Sequence, residues 1–185
     1  MVKDVLLVAL VLACAGFATA LSRRHRESSG PGSDAGATVR RRILFPFVGD
    51  ALSEPVLAAT LRLARLEHAT LVPAYLAHVP MAMPLDAPIP RQCERAMPLL
   101  EAVEQRAARA GVPVDSRIER GRTYRHALRE LLEHEHFDRV VVAADTEGGE
   151  GFGAADVAWL LEHAEGELLV LRPAHDQQVV VASAA

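Results

Sequence analysis

From residue 43 onward, short apolar runs alternate with longer segments whose apolar residues recur at helical spacing. Residues 43–48, ILFPFV, predict the first strand. The loop Gly49-Asp50-Ala51-Leu52-Ser53 follows, with Ser53 placed to cap a helix. In that helix Val56, Leu57, Ala59, Thr60, Leu63 and Leu66 make the apolar stripe. Residues 70–79, TLVPAYLAHV, predict a second strand, and Pro73 argues for a bulge or an edge position. Residues 80–90 carry four prolines and predict a loop, with Met81 and Met83 covering a cleft. A long amphipathic helix over 91–110 ends at Gly111. Residues 112–119 are more polar and predict a third strand at a sheet edge. Thr123 caps a helix carrying Ala127, Leu128, Leu131 and Leu132. Val140, Val141 and Val142 mark a fourth strand, and Gly148, Gly149, Gly151 and Gly153 mark a loop. Val157, Leu160, Leu161 and Ala164 predict the last helix, ended by Gly166, and residues 168–171 the fifth strand.

This order predicts an α/β fold: an open, parallel, five-stranded, Rossmann-like sheet with helices on both faces and right-handed crossovers. Ligands in such sheets sit beyond the carboxyl ends of the strands, where strand order reverses. Here that points to the loops after Val48 and after Ala143.

The start of the chain has a different pattern. Residues 5–21 are uncharged and apolar, about 25 Å long as a helix and near the thickness of a bilayer core. Only Lys3 precedes this run, offset by Asp4, while Arg23, Arg24, Arg26, Arg40, Arg41 and Arg42 follow it. Positive charge stays cytoplasmic, which favours a single-pass anchor in the cytoplasmic membrane with the domain inside the cell. The competing readings are export after cleavage at Ala18-Thr19-Ala20, lipidation at Cys14, and a soluble tail. The expected organisation is a hydrophobic segment over 1–21, a flexible linker over 22–38, one domain over 39–174 and a tail over 175–185. Residues 179–181 of that tail are apolar enough to add an edge strand.

Composition narrows the function classes. The chain has 185 residues, half of them hydrophobic, and a net charge of −4, which argues against nucleic-acid binding. Two cysteines, Cys14 and Cys93, offer neither a disulfide framework nor a zinc site. Neither a phosphate-binding loop nor a zinc-protease motif nor a nucleophile elbow is present.

Several segments taken together resemble the universal stress protein family over roughly residues 41–173. Ile43-Leu44-Phe45-Pro46-Phe47 is similar to its first strand, and Leu76-Ala77-His78-Val79 to the end of its second. Gly121, the Thr123 helix and Phe137-Asp138-Arg139-Val140-Val141-Val142 resemble its glycine, helix and Asp-led fourth strand. His163-Ala164 and Leu168-Leu169-Val170-Leu171-Arg172-Pro173 resemble its last helix end and last strand. The resemblance implies an adenine nucleotide alpha hydrolase-like sheet of order 3-2-1-4-5 and homodimers paired through the last strand.

It also implies a division into members that bind ATP and members that do not. Binders carry an aspartate at the end of strand one; here Val48 stands there. Binders carry G-x-x-G, nine residues, then Gly-Ser or Gly-Thr. Those positions are Ala143, Thr146 and Ala154-Ala155 here, and Gly148 and Gly149 match only the variable interior. No Lys or Arg lies between residues 140 and 171, while Asp145, Glu147, Glu150 and Asp156 crowd the loop and repel a triphosphate.

The chain is therefore expected to be a non-enzymatic stress-response module, tethered to the membrane, acting through an unidentified protein partner as a homodimer, with no cofactor and no catalytic or metal residues. The alternative is an ATP-binding domain with slow or no hydrolysis. Its cleft positions would be Val48, Asp50, Gly148, Gly149, Gly153 and Ala155, with Asp50 replacing the missing aspartate. Glu133, His134, Glu135 and His136 read as a solvated helix end. Two residues apart on a helix, His134 and His136 diverge and make a poor metal pair. His78 reads as structural. A cation on Asp145, Glu147 and Glu150 lacks an ordered ligand spacing.

Overall fold

The computed structural model describes residues 40–145, 151–172 and 178–179, all within one compact unit, Val39–Ala185. The elements in chain order are β1 (Arg42–Phe47), β2 (Leu52–Ser53), α1 (Glu54–Leu66), β3 (Thr70–His78), α2 (Pro90–Ala110), β4 (Arg117–Gly121), α3 (Tyr124–His134), β5 (Arg139–Ala143), α4 (Ala154–His163), β6 (Glu167–Leu171) and β7 (Gln178–Val179). Five strands make one parallel sheet of order β4-β3-β1-β5-β6. The two-residue β2 pairs antiparallel with β7 outside it. Because β2 shifts the numbering, the seven-strand order differs from 3-2-1-4-5; counting only the main sheet's own strands restores that order.

Period-two alternation splits the core between the two faces. Ile43, Phe45 and Phe47 join Tyr75 and the buried residues of α1 and α2. Leu44, Val72, Leu76, Val140 and Val142 join Leu128 and Leu131 of α3 and Leu160 of α4. The apolar residues of β1 and β5 thus divide between two packed layers, which is why both strands carry unbroken apolar runs.

The membrane expectation is corrected. No helix among the described residues is long and apolar enough to cross a membrane. The run 5–21 that suggested an anchor or export signal lies outside the described residues, as do the linker and most of the tail.

Other local expectations shift for identifiable reasons. Steps of three residues drift by about 60° each around a helix, so the expected α1 stripe does not stay on one face. Val56, Leu57 and Thr60 of that stripe are buried, joined by Leu61 and Ala64 in place of Ala59 and Leu63, while Leu66 is 76% exposed. Thr60 satisfies its hydroxyl by donating to the Val56 carbonyl at 2.8 Å. Ser53 precedes α1 but makes no side-chain cap bond. Thr123 does cap α3, accepting from the His126 N–H at 3.1 Å.

Pro73 lies inside the sheet, not at an edge, since β3 sits between β4 and β1. Leu71 N–H bonds the Pro113 carbonyl at 2.9 Å and Asp115 N–H returns to Leu71. The next donor of that parity would be residue 73, and pairing with β4 resumes in the same register at Ala74–Arg117. The missing N–H therefore falls in a gap in the ladder. That gap also explains why the third long strand begins at Arg117, with Val114 making only a bridge to Leu71.

Gly166 does not end α4, which stops at His163 with Ala164 as its cap. Leu161, expected on the buried stripe, is 70% exposed. α3 ends at His134, and Glu135 is already extended. His136 thus lies beyond the helix, so helical spacing does not make it diverge from His134.

Candidate functional site

A cleft of about 240 Å³ opens at the carboxyl ends of β1 and β5. These are the strands from which the chain leaves in opposite directions across the sheet, the usual ligand position in this architecture. Val48 and Gly49 follow β1; Tyr124, Arg125 and Leu128 come from α3; Gly151 and Phe152 follow β5; Asp156 and Trp159 come from α4.

The ends of the loop after β5 are drawn together. Phe152 N–H bonds the Ala143 carbonyl at 2.9 Å, and Asp145 N–H bonds the Phe152 carbonyl at 3.1 Å. Gly151 is needed for this closure, because a Cβ there would stand 2.7 Å from Asp145 Cβ and 2.9 Å from the Ala143 oxygen. The Phe152 side chain is 5% exposed and packs among Val48, Leu128 and Leu160.

Gly153 caps α4, and its N–H donates to Asp156 Oδ2 at 3.2 Å. The other Asp156 oxygen accepts from Arg125 Nε at 2.7 Å. A helix N-terminus attracts anions through its unpaired N–H groups and dipole. Here the chain's own carboxylate takes that role and carries its own counter-ion. Arg125 also changes the charge balance expected along the sequence. No cation lies within residues 140–171, but α3 delivers one from elsewhere in the fold.

The sequence-predicted positions separate in space. Val48 lines the cleft and is buried. Gly153 caps α4, and Ala155 is exposed in its first turn. Asp50 does not line the cleft; it pairs with Arg95 of α2 at 3.5 Å. Burial, followed by the charge of Asp50, pushes the nearby Tyr75 hydroxyl's pKa up. Gly148 and Gly149 lie outside the described residues, as do Thr146, Glu147 and Glu150, and with them the reading of an acidic-loop cation site.

Met81 and Met83 do not cover this cleft. Their loop is tied to the β3–β4 end by Arg122, which donates to the carbonyls of Val79, Pro80 and Met83 at 3.3, 2.5 and 2.7 Å. Met81 is 81% exposed. His78 is exposed at the end of β3, and its carbonyl accepts from Gln92.

Sequence reasoning missed Tyr124, Arg125, Phe152 and Trp159 as cleft residues and saw Asp156 only as a charge. Gly153-x-x-Asp156 has the spacing of a capping box, which would have placed Asp156 at a helix N-terminus. Nothing in the sequence pairs it with Arg125.

Solved structures of universal stress proteins share this fold. One from Burkholderia pseudomallei is 22% identical with a TM-score of 0.54, over 74% of this chain and 98% of its own. One from Arabidopsis thaliana with AMP bound is 13% identical with a TM-score of 0.54, over 74% of this chain and 94% of its own. One from Archaeoglobus fulgidus in complex with dAMP is 12% identical with a TM-score of 0.53, over 72% of this chain and 98% of its own. No protein-family model matches the chain, and no curated protein matches it by sequence.

Proposed function

We propose that this chain, which has the fold of the universal stress proteins, is a non-enzymatic regulatory module that acts through protein contacts and does not hold a nucleoside triphosphate. The observation that carries the reading is the Asp156 carboxylate. It sits at the N-terminus of α4, bonded to Gly153 N–H and paired with Arg125. A phosphate entering there must displace a carboxylate from both partners, and the Val48 side chain at the cleft supplies no acceptor for a nucleoside. The residues present therefore do not fit ATP. The second reading, a nucleotide-binding domain with slow or no hydrolysis, draws on the AMP and dAMP held by structures of this fold and on Arg125 at the cleft.

Calorimetric titration of Mg-ATP and of AMP separates the two. The expected result is no saturable heat and no thermal stabilisation up to millimolar nucleotide, since a ligand that binds only the native state raises its apparent stability. Micromolar binding of Mg-ATP would overturn the proposal.

The protein contacts are proposed to begin with a second copy. β6 is an edge strand of the sheet, and Val170 on it is 41% exposed. Two copies joined along this strand would satisfy its unpaired backbone groups. Light scattering on the purified chain is expected to give twice the chain mass; a monomer at high micromolar concentration rules the pairing out.

A further inference from the structure

We propose that the loop between β3 and α2 is a docking surface for an acidic, amphipathic segment of a partner protein. The loop begins Pro80-Met81-Ala82-Met83-Pro84-Leu85, and all six of these apolar residues are exposed. A run of more than about four exposed apolar residues is tolerated where function requires it. The inference rests on the reading that the protein acts through contacts, and it names the partner's chemistry. It concerns the β3–β4 end of the sheet, and none of these six residues lines the cleft at β1 and β5.

The loop is fastened with its apolar side chains facing solvent. Besides the bonds from Arg122 to the carbonyls of Val79, Pro80 and Met83, Arg120 donates to those of Asp86 and Ala87 at 3.2 and 3.4 Å. Met83 N–H bonds the Pro80 carbonyl at 3.0 Å, and Ala87 N–H bonds the Pro84 carbonyl at 3.1 Å, which closes two turns. Pro80, Pro84, Pro88 and Pro90 each fix a backbone angle. Ile89, buried in the core, anchors the far end. A backbone held this way loses little further freedom when a partner docks. Methionine suits such a surface, because its flexible, polarizable side chain adapts to what covers it.

The surrounding charge selects the partner. Arg91, Arg120 and Arg122 flank the loop, and none of them pairs with a carboxylate among the described residues, whereas Arg95 and Arg125 are taken by Asp50 and Asp156. Arg120 and Arg122 each spend one guanidinium nitrogen on the loop, which leaves the other donors of the fork for a ligand. These three cations outnumber Asp86 and Glu94. Glu119 lies on the opposite face of β4 from Arg120, towards Arg117 and His134. A cationic rim around an apolar centre fits a segment that sets acidic residues beside apolar ones.

The test is fluorescence anisotropy of a labelled helical peptide, leucine along one stripe and glutamate elsewhere, titrated with the full chain. Saturable binding is expected, weakened about tenfold or more by Met81→Ser, severalfold by Arg91→Glu and further by added salt. Both positions are exposed, so these variants should keep the parent's thermal midpoint. Leu161→Ser, exposed on α4, should bind as the parent does, and the lysine counterpart of the peptide should not bind. No binding of the glutamate peptide, or binding that Met81→Ser leaves undiminished, would overturn the proposal. So would phosphatidylglycerol vesicles held through Met81 in place of the peptide, or self-association that Met81→Ser abolishes, because the occupant would then be a lipid surface or a second copy. A silent peptide beside intact pairing along β6 would overturn the loop assignment and leave the regulatory reading standing.

Discussion

Gly166→Ala is expected to remove about 3 kcal/mol or more of folding stability, the range reached when an added group meets atoms that cannot retreat. A Cβ on Gly166 would stand 2.3 Å from the Phe137 oxygen and 2.7 Å from the Asp138 oxygen. Both are backbone atoms at a junction of three strands. Asp138 N–H bonds the Arg42 carbonyl at 3.0 Å, and the Asp138 carbonyl accepts from Glu167 N–H at 2.9 Å. The Asp138 carboxylate accepts from the Arg42 N–H at 2.8 Å. Moving this peptide to admit a methyl group would loosen the starts of β1, β5 and β6 together. Urea denaturation measures the loss. Gly111→Ala is the comparison, because Gly111 has φ +68° and a Cβ added there would meet nothing within 4 Å. There alanine meets only left-handed backbone strain, about 1–2 kcal/mol. Equal losses at the two positions would mean that close approach is not what Gly166 provides.

The same glycine shows where sequence reasoning stops. A Gly after an apolar helical stripe resembles a helix cap, and capping is a local rule. The need for Gly166 comes from residues 137 and 138, which only the β5–β6 pairing brings near it. The alternation of strands and helices is legible because burial on two sheet faces imposes period two while helices impose 3.6, and the runs at 43–48 and 140–142 satisfy the first so fully. Sequence alone does not reveal that Pro73 lies inside the sheet, because the strands that flank β3 come from residues far from it in the chain. Along the site, Val48 and Gly153 can be located because they flank strand and helix ends. The pairing of Arg125 with Asp156 spans 31 residues and two elements, and no spacing rule reaches that far. The helical spacing assumed for His134 and His136 fails because α3 ends at His134 and Glu135 is already extended, an end point that no residue in Glu133–His136 announces.

Phe152→Ala is expected to cost about 3–5 kcal/mol, the range for deleting a buried phenyl ring, while leaving the cleft unable to hold Mg-ATP. The two parts of this expectation have separate causes. The ring is 5% exposed and packs with Val48, Leu128 and Leu160, so its loss leaves a cavity between β1, α3 and α4. The loop ends are joined by backbone bonds, Phe152 N–H to Ala143 and Asp145 N–H to Phe152, which alanine retains. Stability in urea should therefore fall without release of the loop. If the bulk of Phe152 were what excludes nucleotide, the enlarged cleft would gain affinity, and calorimetry with Mg-ATP would show saturable heat in this variant. If the Asp156 carboxylate excludes it, the enlarged cleft stays silent, because the carboxylate still occupies Gly153 N–H and Arg125. Asp156→Asn then completes the comparison. It removes the charge at the α4 N-terminus, leaves Arg125 without its partner, and is the variant in which a phosphate should first find a place. Binding restored by Phe152→Ala and not by Asp156→Asn would move the cause of exclusion from charge to shape.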